Sequence, residues 1–408
     1  MLLSRKVLFK EESNPNLIIL RHMGYSAAKL WNVANYQKRN YKALDMDQFP
    51  NWYEQKRSLK DHFFYKNLPS QSAQDVLQEL QEAWASYFTL LKTKGIENPR
   101  PPRFKKDVTG FTFLKGAIKQ LKRSVRLTIP KQLKEYLKTQ GLDANYIYLK
   151  TNRFSDIQIK ELKISFEKEG VTVIAVYEKT EKALIPDSGR TLSIDLGISN
   201  TFTCFDSERG TFILSGFLNR THYYDKKIAE LQSISDKEQF KRGIKYPKKT
   251  KRVLSLYQKK KNAVNDFVHK TTRYITNYCV ENNISSVVIG DLRGVRKDKN
   301  FGRNNQQLHA LPYSAIYQKL EYKLMLEGIT LIRQKEHYTS QCSPNSPMVS
   351  KKYAQKSNRK KRGLYVDGIN IYNADCVGAY NILRLYLSGI NKNCPDHKNL
   401  SSPVKVTV

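Results

Sequence analysis

Thr191-Leu-Ser-Ile-Asp-Leu-Gly-Ile-Ser-Asn200 reads as an apolar β-strand ending in a carboxylate, Asp195, with Gly197 turning the chain just beyond it. Far along the chain, Asn373-Ala-Asp-Cys-Val-Gly-Ala-Tyr-Asn-Ile-Leu383 reads as an acid, Asp375, opening a helix. Val377, Ala379, Tyr380 and Leu383 fall on that helix at helical spacing. Two carboxylates, one at a strand end and one at a helix start, can hold divalent metal for phosphodiester hydrolysis.

Outward from Thr191 the pattern is α/β. Strands are expected at 191–195, 201–205, 211–214, 286–290 and 329–334, with long helices around 222–235 and 251–282. Three strands, a helical insertion and two further strands follow the ribonuclease-H-like order. In that fold strands one and four lie side by side at the sheet centre, and strand five lies beside strand four.

Charge indicates what such a site would act on. The chain carries 71 Lys+Arg against 37 Asp+Glu, a net charge of +34 over 408 residues. Phosphate backbone is the natural partner, because each neutralised phosphate releases counterions. A 40% hydrophobic content is enough for real cores, in two to four domains. The sequence has no run apolar enough for a bilayer span and no secretory signal, so no membrane role is expected. Cys204, Cys279, Cys342, Cys376 and Cys394 are scattered and form no framework, which fits a reducing cytoplasm.

Residues 4–10 read as a first strand, and 16–91 as helical, with a helix starting at Ser70 and an apolar stripe from Val76 to Phe88. Pro99-Arg-Pro-Pro-Arg-Phe-Lys105 reads as a domain junction. Period-two segments at 111–114, 125–129, 146–149, 161–166 and 171–177 predict strands of a small β-barrel completed by the first strand, with a hairpin turn at Lys168-Glu169-Gly170. Between Phe240 and Lys261 lie ten Lys/Arg residues and no acid, with Tyr246 and Tyr257 among them and Tyr274 and Tyr278 further along the same helix. This reads as a helix-borne phosphate track.

Seven segments, taken in order, resemble the TnpB family of transposon-encoded, RNA-guided DNA nucleases, relatives of the type V CRISPR effectors. They are Leu30-Trp-Asn-Val-Ala34, Ser70-Gln-Ser-Ala-Gln74, Pro101-Pro-Arg-Phe-Lys105, Ser193-Ile-Asp-Leu-Gly197, Leu320-Glu-Tyr-Lys323, Tyr338-Thr-Ser-Gln-Cys342, and Asn373-Ala-Asp375 with Ala379-Tyr-Asn-Ile382. The resemblance implies a multidomain α/β protein: a ribonuclease-H-like RuvC nuclease domain, a small β-barrel (wedge) domain and a helical recognition domain. The boundaries expected are 1–14 for the first barrel strand, 15–105 for the helical domain and 106–185 for the barrel. The nuclease is expected at 186–336 with a helical insertion at 220–282, followed by a basic nucleic-acid-binding insertion at 337–372, the last helix at 373–390 and a tail at 391–408.

By this resemblance Asp195 is the first RuvC acid and Asp375 the third. The second, a glutamate, normally ends the fourth strand, but Ser286-Val-Val-Ile-Gly-Asp-Leu292 has Gly290 there. Asp291 is next door, yet side chains alternate faces along a strand. The better candidate is Glu336, ending the fifth strand Ile329-Thr-Leu-Ile-Arg-Gln-Lys-Glu336. Neighbouring strands lie roughly 5 Å apart, a gap that a glutamate side chain bridges. Some TnpB relatives and the eukaryotic Fanzor proteins look similar, with this glutamate relocated to just before the Tyr/Arg-Thr-Ser motif. Two Mg²⁺ ions would be held by Asp195, Glu336 and Asp375. Many relatives also carry two Cys-x-x-Cys pairs in the insertion. Here Cys342 stands alone, and His337, Cys376, Cys394 and His397 offer no paired spacing, so no zinc is expected.

The implied activity is RNA-guided DNA cleavage beside a short adjacent motif, with a transposon-derived guide RNA and a double-stranded DNA target as partners. It would take place in the cytoplasm, at the nucleoid when bound to DNA. Candidate nucleic-acid contacts are Arg103, Lys105, Lys248, Lys249, Lys251, Arg252, Lys351, Lys352, Arg359, Lys360, Arg362 and Arg384, the last steadying the scissile phosphate. Gly290 keeps open a nuclease-dead relative that represses by RNA-guided occupancy. A DDE-type transposase is a further alternative, which the acid order Asp, Glu, Asp opposes. A basic RNA-binding protein without catalysis would leave Asp195 and Asp375 unexplained.

Overall fold

The computed structural model describes residues 1–10, 14–93, 95–167, 170–292, 311–361, 363–397 and 399–407. They gather into two compact units, Met1–Thr180 and Glu181–Val408.

In the first unit β1 (Leu2–Phe9) precedes α1 (Pro15–Arg39). Asn14 caps α1 by accepting from the Asn16 N–H, and Pro15 sits where a missing N–H costs nothing. Then come α2 (Trp52–Ser58), α3 (Phe63–Lys66) and α4 (Ser70–Thr93), the last starting at the residue the sequence indicates. The prolines after α4 do not make a free junction. Their segment is strapped along α1: the Trp31 indole donates to the Arg103 carbonyl at 3.0 Å, and Asn35 to that of Pro102 at 3.0 Å. Asn32 both donates to and accepts from the Lys105 backbone, at 2.8 and 2.7 Å.

The rest of this unit comprises β2 (Phe111–Leu114), β3 (Ile118–Leu121), β4 (Ser124–Thr128), α5 (Lys131–Thr139), β5 (Tyr146–Lys150), β6 (Ile159–Glu167) and β7 (Gly170–Glu178). The sequence reading missed β3 and α5. The strands form two sheets, β1-β7-β6-β2 and β3-β4-β5. The expected first strand pairs antiparallel with β7, Val7 opposite Val173. The Gln120 side chain links the sheets, donating to the Phe154 and Ile157 carbonyls and accepting from the Ile159 N–H. Of the expected hairpin turn, Lys168 and Glu169 lie outside the described residues. One core joins Leu20 and Met23 of α1, Leu80 of α4, Phe113, Leu127, Leu149 and Val173. The helices and strands, read as separate segments, therefore bury their apolar faces against each other.

The second unit holds β8 (Thr191–Asp195), β9 (Phe202–Asp206), β10 (Gly210–Leu214), α6 (Phe217–Lys241), α7 (Lys251–Glu281), β11 (Ser286–Asp291), α8 (Tyr313–Leu326) and β12 (Thr330–Lys335). Three short strands follow, β13 (Arg359–Lys361), β14 (Leu364–Asp367) and β15 (Asn370–Asn373), which form their own sheet within the basic insertion. After them come α9 (Ala374–Gly389) and β16 (Val404–Val406). The main sheet runs β12-β11-β8-β9-β10-β16, with β8, β11 and β12 mutually parallel. Strands one and four are thus central neighbours, with five beside four, as the ribonuclease-H-like order requires.

Both faces of this sheet are covered, and strand alternation decides which residue meets which layer. Leu192, Ile194, Val287 and Ile289 pack with Phe267 and Ile275 of α7 and Ile316 and Leu320 of α8. On the other face Phe205 and Ile213 pack with Val377, Tyr380 and Leu383 of α9. Ser193 faces α9 as well, its hydroxyl donating to the Ala379 carbonyl at 2.7 Å.

Residues 391–408, read as a tail, are in part a sheet element. β16 pairs in parallel with β10, Lys405 opposite Ile213. An unpaired edge strand exposes a row of N–H and C=O groups, and the C-terminal segment covers that row. It also reaches the start of α9: the Asn373 N–H donates to the Leu400 carbonyl at 2.9 Å. Among the described residues no helix is long and apolar enough to cross a membrane.

Candidate active site

Three acids lie at or just beside the termini of three elements: β8, β12 and α9. Asp195 is the last residue of β8. Its alternation with Ile194 turns it toward α9, on the side of Ser193. Asp375 lies in the first turn of α9, where the helix dipole favours an anion, and Asn373 caps the helix by accepting from the Asp375 and Cys376 N–H groups. Glu336 follows directly on β12. Gly290 of β11 registers with Gln334, and two residues further along the same face is Glu336. Asp291 registers with Lys335 and so belongs to the opposite face.

Two glycines leave room for two of the carboxyls. A Cβ on Gly290 would lie 1.4 Å from Glu336 Oε1 and 2.4 Å from its Cδ. The Glu336 carboxyl thus occupies the space where a side chain at position 290 would start. A Cβ on Gly378, one helical turn into α9, would lie 2.6 Å from Asp195 Oδ2. Neither glycine was singled out in the sequence as making such room. The signal was present in both places: a glycine at the usual acid position, and a glycine inside a helix, where it costs about 1 kcal/mol against alanine.

The electrostatics are those of crowded anions. Burial, then repulsion from Asp375, pushes Asp195 up to about 7, with Arg359 and the Leu196 N–H pulling the other way. Burial, then Asp195 and Asp291, pushes Glu336 up to about 8. Glu336 Oε1 is buried without a hydrogen-bond partner. Asp375 is engaged on both oxygens: Asn200 Nδ2 donates to Oδ2 at 2.8 Å, and Arg359 Nη2 lies 3.4 Å from Oδ1. As they stand, no three His, Cys, Asp or Glu side chains among the described residues are gathered closely enough to hold a metal ion. Unscreened carboxylates repel, and Asp375 is turned to its two neighbours. The orphaned buried oxygen of Glu336 and an all-carboxylate donor set nevertheless suit a hard divalent cation such as Mg²⁺.

The basic candidates fall into distinct environments. Lys248, Lys249, Lys251 and Arg252 are exposed between α6 and α7, with the Lys249 ammonium 4.2 Å from the Tyr257 ring. Tyr246 is 77% exposed beside them. Tyr274 and Tyr278 are not part of that track: both pack on Phe212, and the Tyr278 hydroxyl donates to the buried Asp206 carboxylate at 2.7 Å. Lys351, Lys352, Arg359 and Lys360 are exposed on the insertion. Arg362 lies outside the described residues. Arg103 is exposed, whereas the Lys105 ammonium sits over the Trp31 ring at 4.4 Å. A cleft of about 930 Å³ in the first unit, lined by Lys56, Arg57, Lys60, Lys66 and Lys131 around the start of α4, adds a basic surface absent from the sequence reading.

Arg384 corrects an expectation. It is 6% exposed, and its guanidinium donates to the Ser343 carbonyl (3.0 Å), the Asn381 side chain (2.9 Å) and the Ser346 carbonyl. A guanidinium spent on internal carbonyls ties α9 to the insertion and is not free for a phosphate. Arg384→Ala is expected to destabilise the second unit by about 3 kcal/mol, because it leaves buried carbonyls unpaired. Denaturant unfolding of the variant checks this. The residues considered for zinc are dispersed. The Cys342 thiol donates to the Ser350 carbonyl at 3.3 Å, Cys376 is buried in the α9 core, Cys394 is exposed, and the His397 ring packs against Tyr372 and Tyr380.

Comparisons with known proteins agree with this architecture. The OrfB_IS605 family, described as "Probable transposase", matches residues 175–296, and the "Cas12f1-like, TNB domain" family matches 313–382. The chain is 22% identical over 401 residues to the TnpB-like protein ORF457 of Acidianus two-tailed virus, covering 90% of this chain and 82% of that protein. It is 24% identical over 370 residues to "Putative RNA-guided DNA endonuclease InsQ" of Escherichia coli (strain K12), covering 86% and 82%. In fold it is similar to Cas12f1 in a complex with single-guide RNA and target DNA, with a TM-score of 0.59 at 14% identity over 90% of this chain and 82% of that one. The mini-RNA-guided endonuclease CRISPR-Cas_phi3 gives 0.55 at 12% identity over 99% and 94%. Family matches on both sides of the β11–β12 connection, relatives running along most of the chain, and a similar fold point the same way: the chain resembles the TnpB family.

Proposed function

We propose that this protein is a transposon-associated, RNA-guided DNA endonuclease that cuts beside a short adjacent motif, with Asp195, Glu336 and Asp375 as the acids that hold two Mg²⁺ ions. The observation that carries the reading is the Glu336 carboxyl in the space beside Gly290, on the face that Asp195 and α9 share. Metal bound there supplies Lewis-acid activation of a water and neutralises charge on the leaving oxygen. Asp195 ends β8 and Glu336 follows β12, and Asp375 would complete the set from the first turn of α9. Asn200 and Arg359 orient Asp375 from either side. Zinc has no part in the proposal. The exposed cations between α6 and α7, those of the insertion, and the basic cleft of the first unit contact phosphate backbone, while pairing with the guide reads sequence. The proposed setting is the cytoplasm, at the nucleoid.

The test is co-expression with the transcript of the DNA overlapping the 3′ end of the reading frame. Purified protein is expected to carry that RNA and to cut guide-matched DNA with Mg²⁺. Affinity for the RNA should fall roughly a thousandfold or more between about 50 and 200 mM salt. Well-folded protein that is free of nucleic acid and has no affinity for the transcript sinks the proposal. A second reading, a guided DNA-binding repressor without cleavage, is favoured by Asp375 having both oxygens engaged. Guided binding with no metal-dependent cut identifies it.

The raised carboxyls also predict a pH dependence. Both titrate above the ordinary carboxylate range of about 4, so the folded protein binds more protons than the unfolded chain between roughly pH 4 and pH 8. Without metal, their contribution to stability is present below that window and lost as pH rises through it. Metal must displace those protons, so the Mn²⁺-induced rise in Tm is expected to grow from about pH 6 to about pH 8. Thermal melts across that range check it, with Asp195→Asn and Glu336→Gln expected to flatten the trend.

A further inference from the structure

We propose that Gly290 is a positioning residue: the missing side chain at the end of β11 is the space that holds the Glu336 carboxyl in the site. The inference rests on the reading of Glu336 as a metal ligand. A Cβ on Gly290 would meet Glu336 Oε1 at 1.4 Å, Cδ at 2.4 Å and Cγ at 2.9 Å, so any side chain there takes the volume of the carboxyl itself.

The backbone gives no other reason for glycine. Gly290 is not among the positive-φ residues, and its conformation is one that alanine adopts. Nor can the strand easily move aside. The Tyr317 hydroxyl donates to the Gly290 carbonyl and accepts from the Leu292 N–H at 3.1 Å, so α8 pins the end of β11 from the other face. Parallel pairing to β12 runs through Gly290 and Asp291, and pairing to β8 reaches the preceding Ile289. The overlap must then be relieved by displacing Glu336. Its Oε1 has no hydrogen-bond partner to keep it in place, and walls alone confine it. The second acid is therefore a two-residue device, a glycine on β11 and a glutamate after β12. The same volume should accept a glutamate rooted on β11 once the one from β12 is removed.

The experiment compares Gly290→Ala, Glu336→Ala, Gly290→Glu and the double variant Gly290→Glu/Glu336→Ala, each as the RNA-loaded protein. Readouts are Mn²⁺ affinity by calorimetry, cleavage of guide-matched DNA, and Tm. Gly290→Ala is expected to weaken Mn²⁺ at least about tenfold and to lose most cleavage, as Glu336→Ala does. The double variant is expected to recover Mn²⁺ affinity to within about tenfold of the parent. A Gly290→Ala protein that binds Mn²⁺ and cuts like the parent overturns the inference, as does a double variant no better than either single change. If Gly290→Ala fails to fold, Gly290→Ala/Glu336→Ala decides: restored folding supports the overlap, and continued failure overturns it. Should Glu336→Ala itself leave Mn²⁺ affinity and cleavage intact, the metal-ligand reading fails. Should it abolish both while Gly290→Ala leaves them, only the glycine inference fails.

Discussion

Glu336→Gln is expected to abolish Mg²⁺-dependent cleavage while Asp291→Asn leaves most of it. The amide keeps the volume and the fit beside Gly290 but removes the negative charge that a hard cation requires. Changing groups that only support a metal's ligands costs about 10–100-fold, so changing a ligand should cost more than about a hundredfold. Asp291 registers with Lys335 on the opposite face and acts on Glu336 only through its charge. Its neutralisation is expected to ease that repulsion without removing a donor. Single-turnover cleavage of guide-matched DNA measures both variants. Full activity in Glu336→Gln would favour a guided binder or a different set of ligands.

Asp195→Ala and Asp375→Ala are each expected to lose more than about a hundredfold in cleavage and to retain guided DNA binding. The exposed cations of the α6–α7 region and those of the insertion other than Arg359 make no ion pair with either acid. Asp375→Ala additionally frees Asn200 and Arg359, so a small change in binding salt dependence is expected there and not in Asp195→Ala. Gel-shift affinity set beside cleavage rate separates chemistry from binding. Either alanine variant cutting at the parent rate would remove the RuvC assignment.

Much of the second unit was legible along the chain because its determinants are local. The strands at 191–195, 286–291 and 330–335 announce themselves as β-rich apolar runs, and Asn373-Ala-Asp375 carries a cap and a first-turn acid in three consecutive residues. Charge alone makes a phosphate partner the expectation. Legibility failed where a residue's role is set by a distant neighbour. Arg384 looks like a surface cation until the fold closes the Ser343 and Ser346 carbonyls over it. Tyr278 continues an aromatic, basic helix, yet its hydroxyl is claimed by Asp206. Val404–Val406 is too short to read as a strand, and it becomes one only because β10 offers an open edge.

Asp195, Asp375 and the order of strands and helices around them are thus properties of the sequence, since propensity, periodicity and capping act over a few residues. The sequence already prefers Glu336 to Asp291, but the space that receives the Glu336 carboxyl belongs to the tertiary structure. Alternation hints at that preference, but only the register of β11 against β12, together with the empty volume at Gly290, brings a carboxyl from another strand into the gap. Register and volume are relations between elements, fixed when the sheet closes, and no single stretch of the chain contains them.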